Sequence, residues 1–391
     1  MQNFSFKKPT EFIFGKDVEN EAGSYLKKYN ANKVLIHYGA GSVVKSGLLG
    51  RVEESLKKEG VSYVLLGGAV PNPVDSLVYE GIELCRKENV DFILAVGGGS
   101  AIDSAKAIAV GVPYEGDFWN LFDQKAPVGK ALPVATVLTI PAAGSEASSA
   151  TVITKMSNPP LKRSLVHDAM IPVFSLMNPE LNYTLPAYQT ACGVVDMTSH
   201  VLERYFTTTK GVEITDRLCE AVILTIIKEA PIAIKDPNNY EARANLTWAG
   251  TIAHDGTVGV GRMPDWGTHM LEHELSAMYN VAHGAGLAVM FPAWMEYVYE
   301  EDLDRFVRFA ENIWGIEHKG DKKETALAGI KAIKEFFKSI GMPTSFEELG
   351  AKREDIPALI EVLKINTGGS FSNFKKLDME DARKIYEIAA R

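Results

Sequence analysis

The chain has 391 residues, of which 46% are hydrophobic, so we expect two compact domains with large cores. Its net charge of −9 argues against nucleic acid or an anionic membrane as a partner. The three cysteines have no metal-site spacing, and the first residues lack the apolar segment of a secretory signal. We therefore expect a cytoplasmic protein that acts on small molecules.

The first half of the chain alternates strand and helix patterns. Apolar, β-rich runs predict strands at 33–38, 62–66, 90–96 and 132–139. Segments with a helical apolar period predict helices at 48–58, 76–88 and 101–109. This alternation is typical of a doubly wound parallel sheet, so we predict an α/β domain over residues 1–184.

A glycine turn separates the third predicted strand from its helix. Gly97, Gly98, Gly99 and Ser100 come directly after an apolar strand and directly before a helical segment. A strand, a glycine turn and a helix start can bind a diphosphate on free backbone N–H groups. The turn departs from the usual G-x-G-x-x-G fingerprint, and a tight turn without a ligand is the alternative.

From residue 185 onward the pattern changes to long helical segments that continue to Arg391. Pro186 suits the first position of a helix, and the apolar residues then follow a helical period. We therefore predict a second, helical domain over residues 185–391, which would carry the metal and the substrate.

Histidines and one aspartate in the second half have the spacing of metal ligands. Asp196 and His200 are four residues apart, as are His269 and His273, and such pairs share one helix face. His283 follows, flanked by glycine. Imidazole with carboxylate suits Fe²⁺ or Zn²⁺. The alternatives are hydrogen-bonded pairs without metal, or the H-x-x-E-H site of an inverted zinc peptidase.

Several motifs together resemble the iron-containing, metal-dependent (group III) alcohol dehydrogenases, most of all their NADPH-dependent butanol dehydrogenase and aldehyde reductase branch. The similarity spans the chain, and the segments that carry it are Pro9–Gly15, Gly97–Lys106, Asp196–His200, Tyr240–Leu246 and His269–Ala277. The resemblance implies a Rossmann-like N-terminal domain and an all-α C-terminal domain, as in dehydroquinate synthase. It also implies a homodimer.

The resemblance further implies a chemistry and a set of ligands. One divalent ion, Fe²⁺ or Zn²⁺, would be held by Asp196, His200, His269 and His283, and His273 would handle a proton. The ion would activate a short-to-medium primary alcohol or aldehyde such as butanol or butanal. The substrate would then exchange a hydride with a nicotinamide cofactor.

The candidate cofactor-binding residues combine the glycine turn with positions matched to the family. They are Gly39, Gly41, Ser42, Asn72, Gly97, Gly98, Gly99, Ser100, Asp103, Thr139 and Lys162. The first predicted strand ends in Gly39-Ala-Gly-Ser42, without the acid that favours NAD, so we expect NADP(H) to be preferred over NAD(H). Ala143 stands where the family usually has threonine, which removes one hydroxyl contact.

Two further hypotheses remain at this point. A dehydroquinate synthase-like lyase would need basic groups near the metal pairs, and Arg262 is the nearest. An apolar substrate pocket would need a wall, for which the aromatic residues beside the motifs are candidates: Phe118, Trp119, Phe122 and Trp266.

Overall fold

A computed structural model describes residues 1–39 and 41–391. They form two compact units. The α/β unit comprises Lys7–Leu185, and the helical unit comprises Pro186–Arg391 together with Met1–Phe6. Within the described residues, no helix is both long and apolar enough to cross a membrane.

The α/β unit is built on strands that are mostly parallel. They are β1 (Glu11–Phe14), β2 (Lys33–Gly39), β3 (Ser62–Ala69), β4 (Phe92–Gly97), β5 (Val134–Leu138), β6 (Ala150–Lys155), β7 (Leu161–Val166) and β8 (Phe174–Met177). Six of them form a parallel sheet in the order β1-β8-β5-β4-β2-β3. β6 and β7 form a separate antiparallel hairpin.

Helices cover the sheet of the α/β unit. They are α1 (Ala22–Lys28), α2 (Ser42–Lys45), α3 (Leu48–Lys58), α4 (Asp75–Glu88), α5 (Gly99–Gly111) and α6 (Trp119–Phe122), with 3₁₀ turns at Val18–Glu21, Asp168–Met170 and Pro179–Asn182. Every residue of β4 is buried, and its alternate side chains belong to two separate apolar clusters. Both sheet faces are therefore packed, as expected for a parallel sheet.

The strand order reverses beside β2. β3 lies on one side of β2 and β4 on the other, although β3 comes between them in the chain. In open parallel sheets, ligands bind outside the carboxyl ends of the strands at such a reversal. The strands that flank it end at Gly39 and Gly97, so both predicted cofactor turns lie at this edge.

The second unit is helical, as predicted. Its helices are α7 (Ala187–Tyr205), α8 (Glu213–Lys235), α9 (Tyr240–His254), α10 (Gly267–Tyr279), α11 (His283–Val298), α12 (Leu303–Trp314), α13 (Lys322–Ser339), α14 (Phe346–Leu349), α15 (Ile356–Thr367) and α16 (Met379–Ala389), with 3₁₀ turns at Thr257–Gly259, Tyr299–Asp302 and Arg353–Asp355. Two short strands, β9 (Ser370–Phe371) and β10 (Leu377–Asp378), form an antiparallel pair that the all-helical expectation did not include.

Helix α11 occupies the core of the helical unit. Almost all of its residues are buried, and it contacts α7, α10, α13 and α16. Its first turn approaches α7 very closely, since a Cβ added at Gly284 would lie 2.1 Å from the carbonyl oxygen of Cys192. Cys192 is one turn before Asp196, so this contact brings His283 to the predicted metal ligands.

Candidate metal centre and cofactor turn

The candidate metal ligands come from three helices of the helical unit. Asp196 and His200 lie one turn apart on α7, His269 is in the first turn of α10, and His283 begins α11. The structure brings all four side chains together around one carboxylate oxygen. Asp196 Oδ1 is 3.2 Å from His200 Nδ1, 4.0 Å from His269 Nε2 and 3.8 Å from His283 Nε2.

These distances suit a bound divalent ion. Ligands about 2.1 Å from a tetrahedral ion are separated by about 3.4 Å, which lies within the observed range. Asp196, His200 and His269 are buried, and their ligand atoms lie within 4.8 Å of one another. In the part of the chain that the structure describes, His200 Nδ1 and His269 Nε2 are buried without a hydrogen-bond partner. Such nitrogens are costly unless a ligand completes them, so the residues fit a metal.

Electrostatics also favour a neutral, metal-binding imidazole at His200. Burial, followed by the neighbouring His254 and His269, lowers the pKa of His200 well below its usual value. A neutral imidazole keeps the lone pair that a metal requires, whereas a protonated one has lost it. His200 is therefore in its metal-binding form at neutral pH.

A buried glutamate holds His269 on the side away from Asp196. Glu203 Oε1 accepts a hydrogen bond from His269 Nδ1 at 2.9 Å, and also accepts from the His269 backbone N–H and the Thr268 hydroxyl. Glu203 Oε2 accepts from the Trp266 backbone N–H at 2.8 Å. Glu203 was not among the residues predicted from the sequence. Its position seven residues after Asp196, on the same face of a helix, was the available signal.

A second buried glutamate holds His283 in the same way. Glu272 Oε2 accepts a hydrogen bond from His283 Nδ1. Glu272 is fully buried, and a Cβ added at Gly286 would lie 2.5 Å from its Oε1. The peptidase hypothesis required Glu272 to act as the base toward a metal-bound water, and this geometry does not favour that role.

His273 lies beside the cluster rather than in its centre. Its ring centroid is 5.6 Å from that of His283, and its ligand atom groups with those of Glu272 and His283 rather than with the Asp196 group. His273 is half-buried, so a polar molecule can reach it more easily than it can reach His269.

His254 and Trp266 form an aromatic wall next to His200. The His254 ring centroid lies 4.2 Å from that of His200, and Trp266 lies 5.8 Å from the same ring. Trp266 has a φ of 74°, a left-handed conformation that is rare for a bulky residue. The Arg204 guanidinium covers its indole at 4.7 Å. His254 was not predicted from the sequence, because it lies on α9 and is not three or four residues from any other candidate.

The other aromatic candidates belong to the core. Phe118, Trp119 and Phe122 are each almost completely buried in an apolar cluster of the α/β unit. Trp119 stacks on Phe122 with ring centroids 5.1 Å apart. The hypothesis that these three line a substrate pocket is therefore wrong, because apolar packing within their own unit accounts for them.

The glycine turn lies between β4 and α5, as predicted. Gly97 ends β4, Gly99 begins α5, and Thr139 donates its backbone N–H to the Gly97 carbonyl at 3.0 Å. A Cβ added at Gly98 would lie 2.7 Å from Ile140 Cβ, so only glycine fits there. Ser100 is in the first turn of α5, where backbone N–H groups point toward the strand ends.

Asp103 holds the segment that follows β5. Its Oδ1 accepts from the Ser145 hydroxyl at 2.6 Å, and its Oδ2 accepts from the Val152 backbone N–H at 2.9 Å. Lys106, one turn later, donates to the carbonyl oxygens of Ser145, Ser148 and Ala150 at 2.6, 2.8 and 2.9 Å. The two side chains fix the position of residues 145–152 on α5.

The remaining cofactor candidates are one hydrogen-bonded pair and the residues around the end of β2. Lys162, almost fully buried on β7, donates to Asn72 Oδ1 at 3.0 Å. Gly39 ends β2, and Gly41 precedes Ser42, the first residue of α2. Among the described residues, a Cβ added at Gly39 would meet the Ala69 carbonyl alone, at an ordinary contact distance of 3.6 Å, so this position tolerates a side chain.

Comparison with known proteins identifies two family models that together span most of the chain. Residues 9–179 match the model described as iron-containing alcohol dehydrogenase. Residues 190–390 match the C-terminal model of the Fe-containing alcohol dehydrogenase family.

Individual relatives are similar over their full length. NADH-dependent butanol dehydrogenase A of Clostridium acetobutylicum is 39% identical over 99% of both chains. NADPH-dependent aldehyde reductase YqhD of Escherichia coli is 37% identical over 100% of both chains. The crystal structure of NADH-dependent butanol dehydrogenase A from Thermotoga maritima is 43% identical, with a TM-score of 0.97 over 100% of this chain and 99% of that one.

Proposed function

The chain belongs to the iron-containing alcohol dehydrogenase family, and from that premise we propose that it exchanges a hydride between a nicotinamide cofactor and a short-to-medium primary alcohol or aldehyde. Family membership supports the activity of a metal-dependent alcohol dehydrogenase or aldehyde reductase, as the sequence predicted. The similarity to butanol dehydrogenases and to an aldehyde reductase supports the same activity. Butanol and butanal are the substrates we propose, since the names of several relatives specify butanol.

The observation that carries the proposal is the convergence of three imidazoles on Asp196. We propose that Asp196, His200, His269 and His283 hold one Fe²⁺ or Zn²⁺ ion. When bound, such an ion acts as a Lewis acid toward the oxygen of an alcohol or an aldehyde. His200 and His269 place buried nitrogens at the centre of the cluster, which supports their part in this set.

His273 is our candidate for moving the proton that accompanies hydride transfer. Alcohol oxidation releases a proton from the hydroxyl group, and aldehyde reduction returns one to the carbonyl oxygen. A half-buried imidazole whose ring centroid is 5.6 Å from that of His283 can accept or donate it at a ring nitrogen while staying outside the ligand set.

The nicotinamide cofactor would bind at the carboxyl edge of the parallel sheet. We propose that the N–H groups of Gly98, Gly99 and Ser100 receive its diphosphate at the start of α5. The proposed set also keeps Thr139, Asn72 and Lys162, as contacts to the rest of the cofactor. Asp103 contributes by fixing residues 145–152, because both of its oxygens accept hydrogen bonds from that segment.

Within this function we propose a preference for NADP(H) over NAD(H). The sequence Gly39-Ala-Gly-Ser42 contains no carboxylate that would repel a 2′-phosphate, and Gly41 and Ser42 offer N–H and hydroxyl donors. The names of the relatives include both NADH-dependent and NADPH-dependent enzymes, which supports a nicotinamide cofactor of either kind.

The lyase alternative is not favoured by the position of its basic residue. The Arg262 side chain is fully buried, donates to Asp216 at 2.8 Å and also donates to the carbonyl oxygens of Arg204 and Val212. An arginine bonded in this way is not available to an anionic substrate. A homodimer and a cytoplasmic location remain predictions from the sequence.

The function is tested by following nicotinamide absorbance at 340 nm with a series of primary alcohols and aldehydes from two to eight carbons. We expect metal-dependent NADPH oxidation with butanal, and slower oxidation with NADH. The absence of turnover with every aldehyde and every alcohol, in protein loaded with Fe²⁺ or Zn²⁺, would contradict the proposal.

A further inference from the structure

We propose that Glu203 and Glu272 are positioning residues that set the metal affinity of the helical unit, although neither contacts the ion. This inference rests on the proposed function, because it takes Asp196 and the three histidines as the ligands. It assigns a role to two buried carboxylates that the proposed ligand set of Asp196, His200, His269 and His283 does not include.

The hydrogen-bond partner of each imidazole determines which of its two nitrogens carries the hydrogen. A neutral imidazole has one N–H and one lone pair, and an ionised carboxylate can only accept a hydrogen bond. Glu203 lies at Nδ1 of His269 and Glu272 lies at Nδ1 of His283. Both Nδ1 atoms therefore carry the hydrogen. The lone pairs are left on the two Nε2 atoms, which lie 4.0 and 3.8 Å from Asp196 Oδ1.

Each of the two carboxylates connects one ligand-bearing helix to the next one along the chain. Glu203 on α7 orients a histidine of α10, and Glu272 on α10 orients a histidine of α11. Each histidine is thus held by the helix that carries an earlier ligand. Such carboxylate–histidine pairs fix ring orientation and raise the basicity of the ligand nitrogen.

Glu203 is itself held rigidly. It is fully buried, and its oxygens accept from the Thr268 hydroxyl and from the backbone N–H groups of Trp266 and His269. The residue before α10, Trp266, caps no N–H with its own side chain. Glu203 thus also caps the start of α10 from another helix, where backbone N–H groups otherwise lack partners.

The position of the Glu272 side chain depends on a glycine of α11. A Cβ added at Gly286 would lie 2.5 Å from Glu272 Oε1 and 2.7 Å from its Cγ. The motif that contains His283 therefore includes a glycine that makes room for the carboxylate holding that histidine. Alanine at position 286 would displace Glu272 while leaving every ligand and both carboxylates in the sequence.

The test measures the Kd of the full-length protein for Zn²⁺ by competition with a chromophoric chelator. We expect Glu203→Gln, Glu272→Gln and Gly286→Ala each to raise this Kd about 10- to 100-fold. Glu274→Gln is the matched control, since Glu274 is a buried carboxylate of the same helix that accepts from Asn366 at 3.0 Å. Its Kd should stay within about twofold of wild type.

Two further measurements separate positioning from folding. Circular dichroism and the Tm in excess chelator report whether each metal-free variant is folded, and a carboxylate with only a structural role would lower that Tm without changing the Kd. Absorbance of the Co²⁺-substituted protein reports ligand geometry, and we expect it to change in both glutamine variants. If Glu203→Gln does not fold, the Kd values of Glu272→Gln and Gly286→Ala still test the positioning role.

The outcomes distinguish this inference from the proposed function. Wild-type protein that binds no stoichiometric ion, or His200→Ala that binds one normally, overturns the metal site itself. An ion bound by wild type and lost in His200→Ala, together with a wild-type Kd in either glutamine variant, overturns the positioning role of that glutamate.

Discussion

The ammonium group of Lys106 donates a hydrogen bond of 2.6 Å to the carbonyl oxygen of Ser145, and the lysine side chain is fully buried. Burial lowers its pKa to about 8, and Asp103 opposes that shift. A lysine inside a protein is costly unless every donor is satisfied, and here three carbonyls and two hydroxyls surround Nζ. Lys106 therefore fixes the segment that follows β5 beside the cofactor turn.

Replacing Lys106 with methionine should destabilise the α/β unit by about 2–5 kcal/mol, because several buried acceptors lose their donor. The affinity for cofactor should also fall, since residues 145–150 are no longer fixed. Urea unfolding and calorimetric titration of cofactor measure the two effects. Lys58→Met, at an exposed position of α3, is the control, and equal effects from both variants would contradict this role.

Gly98→Ala should raise the cofactor Kd at least about tenfold, by disturbing the N–H groups that we propose receive the diphosphate. The added Cβ would lie 2.7 Å from Ile140, so the turn or Ile140 must move. The double variant Gly98→Ala, Ile140→Gly removes the Ile140 Cβ that the added methyl group meets, so it should recover most of the affinity. Gly50→Ala serves as the control, because a Cβ at Gly50 meets nothing within 4 Å. Unchanged affinity in Gly98→Ala would mean that the segment is only a turn.

His37 should make the fold sensitive to acid. Burial lowers its pKa from 6.5 to about 4. The unfolded chain therefore binds a proton at higher pH than the folded chain, and stability is lost as the pH falls from 6.5 through 4. A difference of this size corresponds to about 3 kcal/mol. In excess chelator, His37→Asn should lose about that much less stability between pH 7 and pH 4. An equal loss in both proteins refutes the assignment.

Gly39→Asp should shift the cofactor preference toward NAD by about 1–3 kcal/mol, through repulsion of the 2′-phosphate and a new contact to the ribose hydroxyl. The position has space for a side chain, so the fold should tolerate the change. Ratios of kcat/KM for NADPH and NADH measure the effect, with Gly50→Asp as a variant of equal charge. Wild-type protein that prefers NADH would contradict the expected NADP(H) preference.

Much of the α/β fold was predictable because apolar periodicity and glycine act locally. The helix predicted at 48–58 is Leu48–Lys58, and the strand predicted at 33–38 is Lys33–Gly39. The strand predicted at 132–139 spans only Val134–Leu138, since Pro133 has no N–H to donate to a neighbouring strand. The hairpin β6–β7 was not predicted.

The candidate metal ligands could be predicted only in part from the spacing of residues in the sequence. Helical spacing grouped Asp196 with His200, but it grouped His269 equally well with His273. The family resemblance assigned His269 to the ligands and His273 to proton handling. The structure agrees with that division, since His269 is bonded to Glu203 of α7 and its Nε2 lies 4.0 Å from Asp196 Oδ1. The H-x-x-E-H pattern gave Glu272 a hypothetical peptidase role. Its hydrogen-bond partner, His283, lies on another helix and could not be recognised from local spacing.

Removal and return of metal test whether the activity depends on a bound ion. Protein treated with chelator should lose aldehyde-dependent NAD(P)H oxidation at 340 nm and recover it with one equivalent of Fe²⁺ or Zn²⁺ per chain. His200→Ala should neither bind the ion nor recover, whereas His273→Gln should bind it and turn over more slowly. Full activity in metal-free protein, or recovery in His200→Ala, would contradict the account.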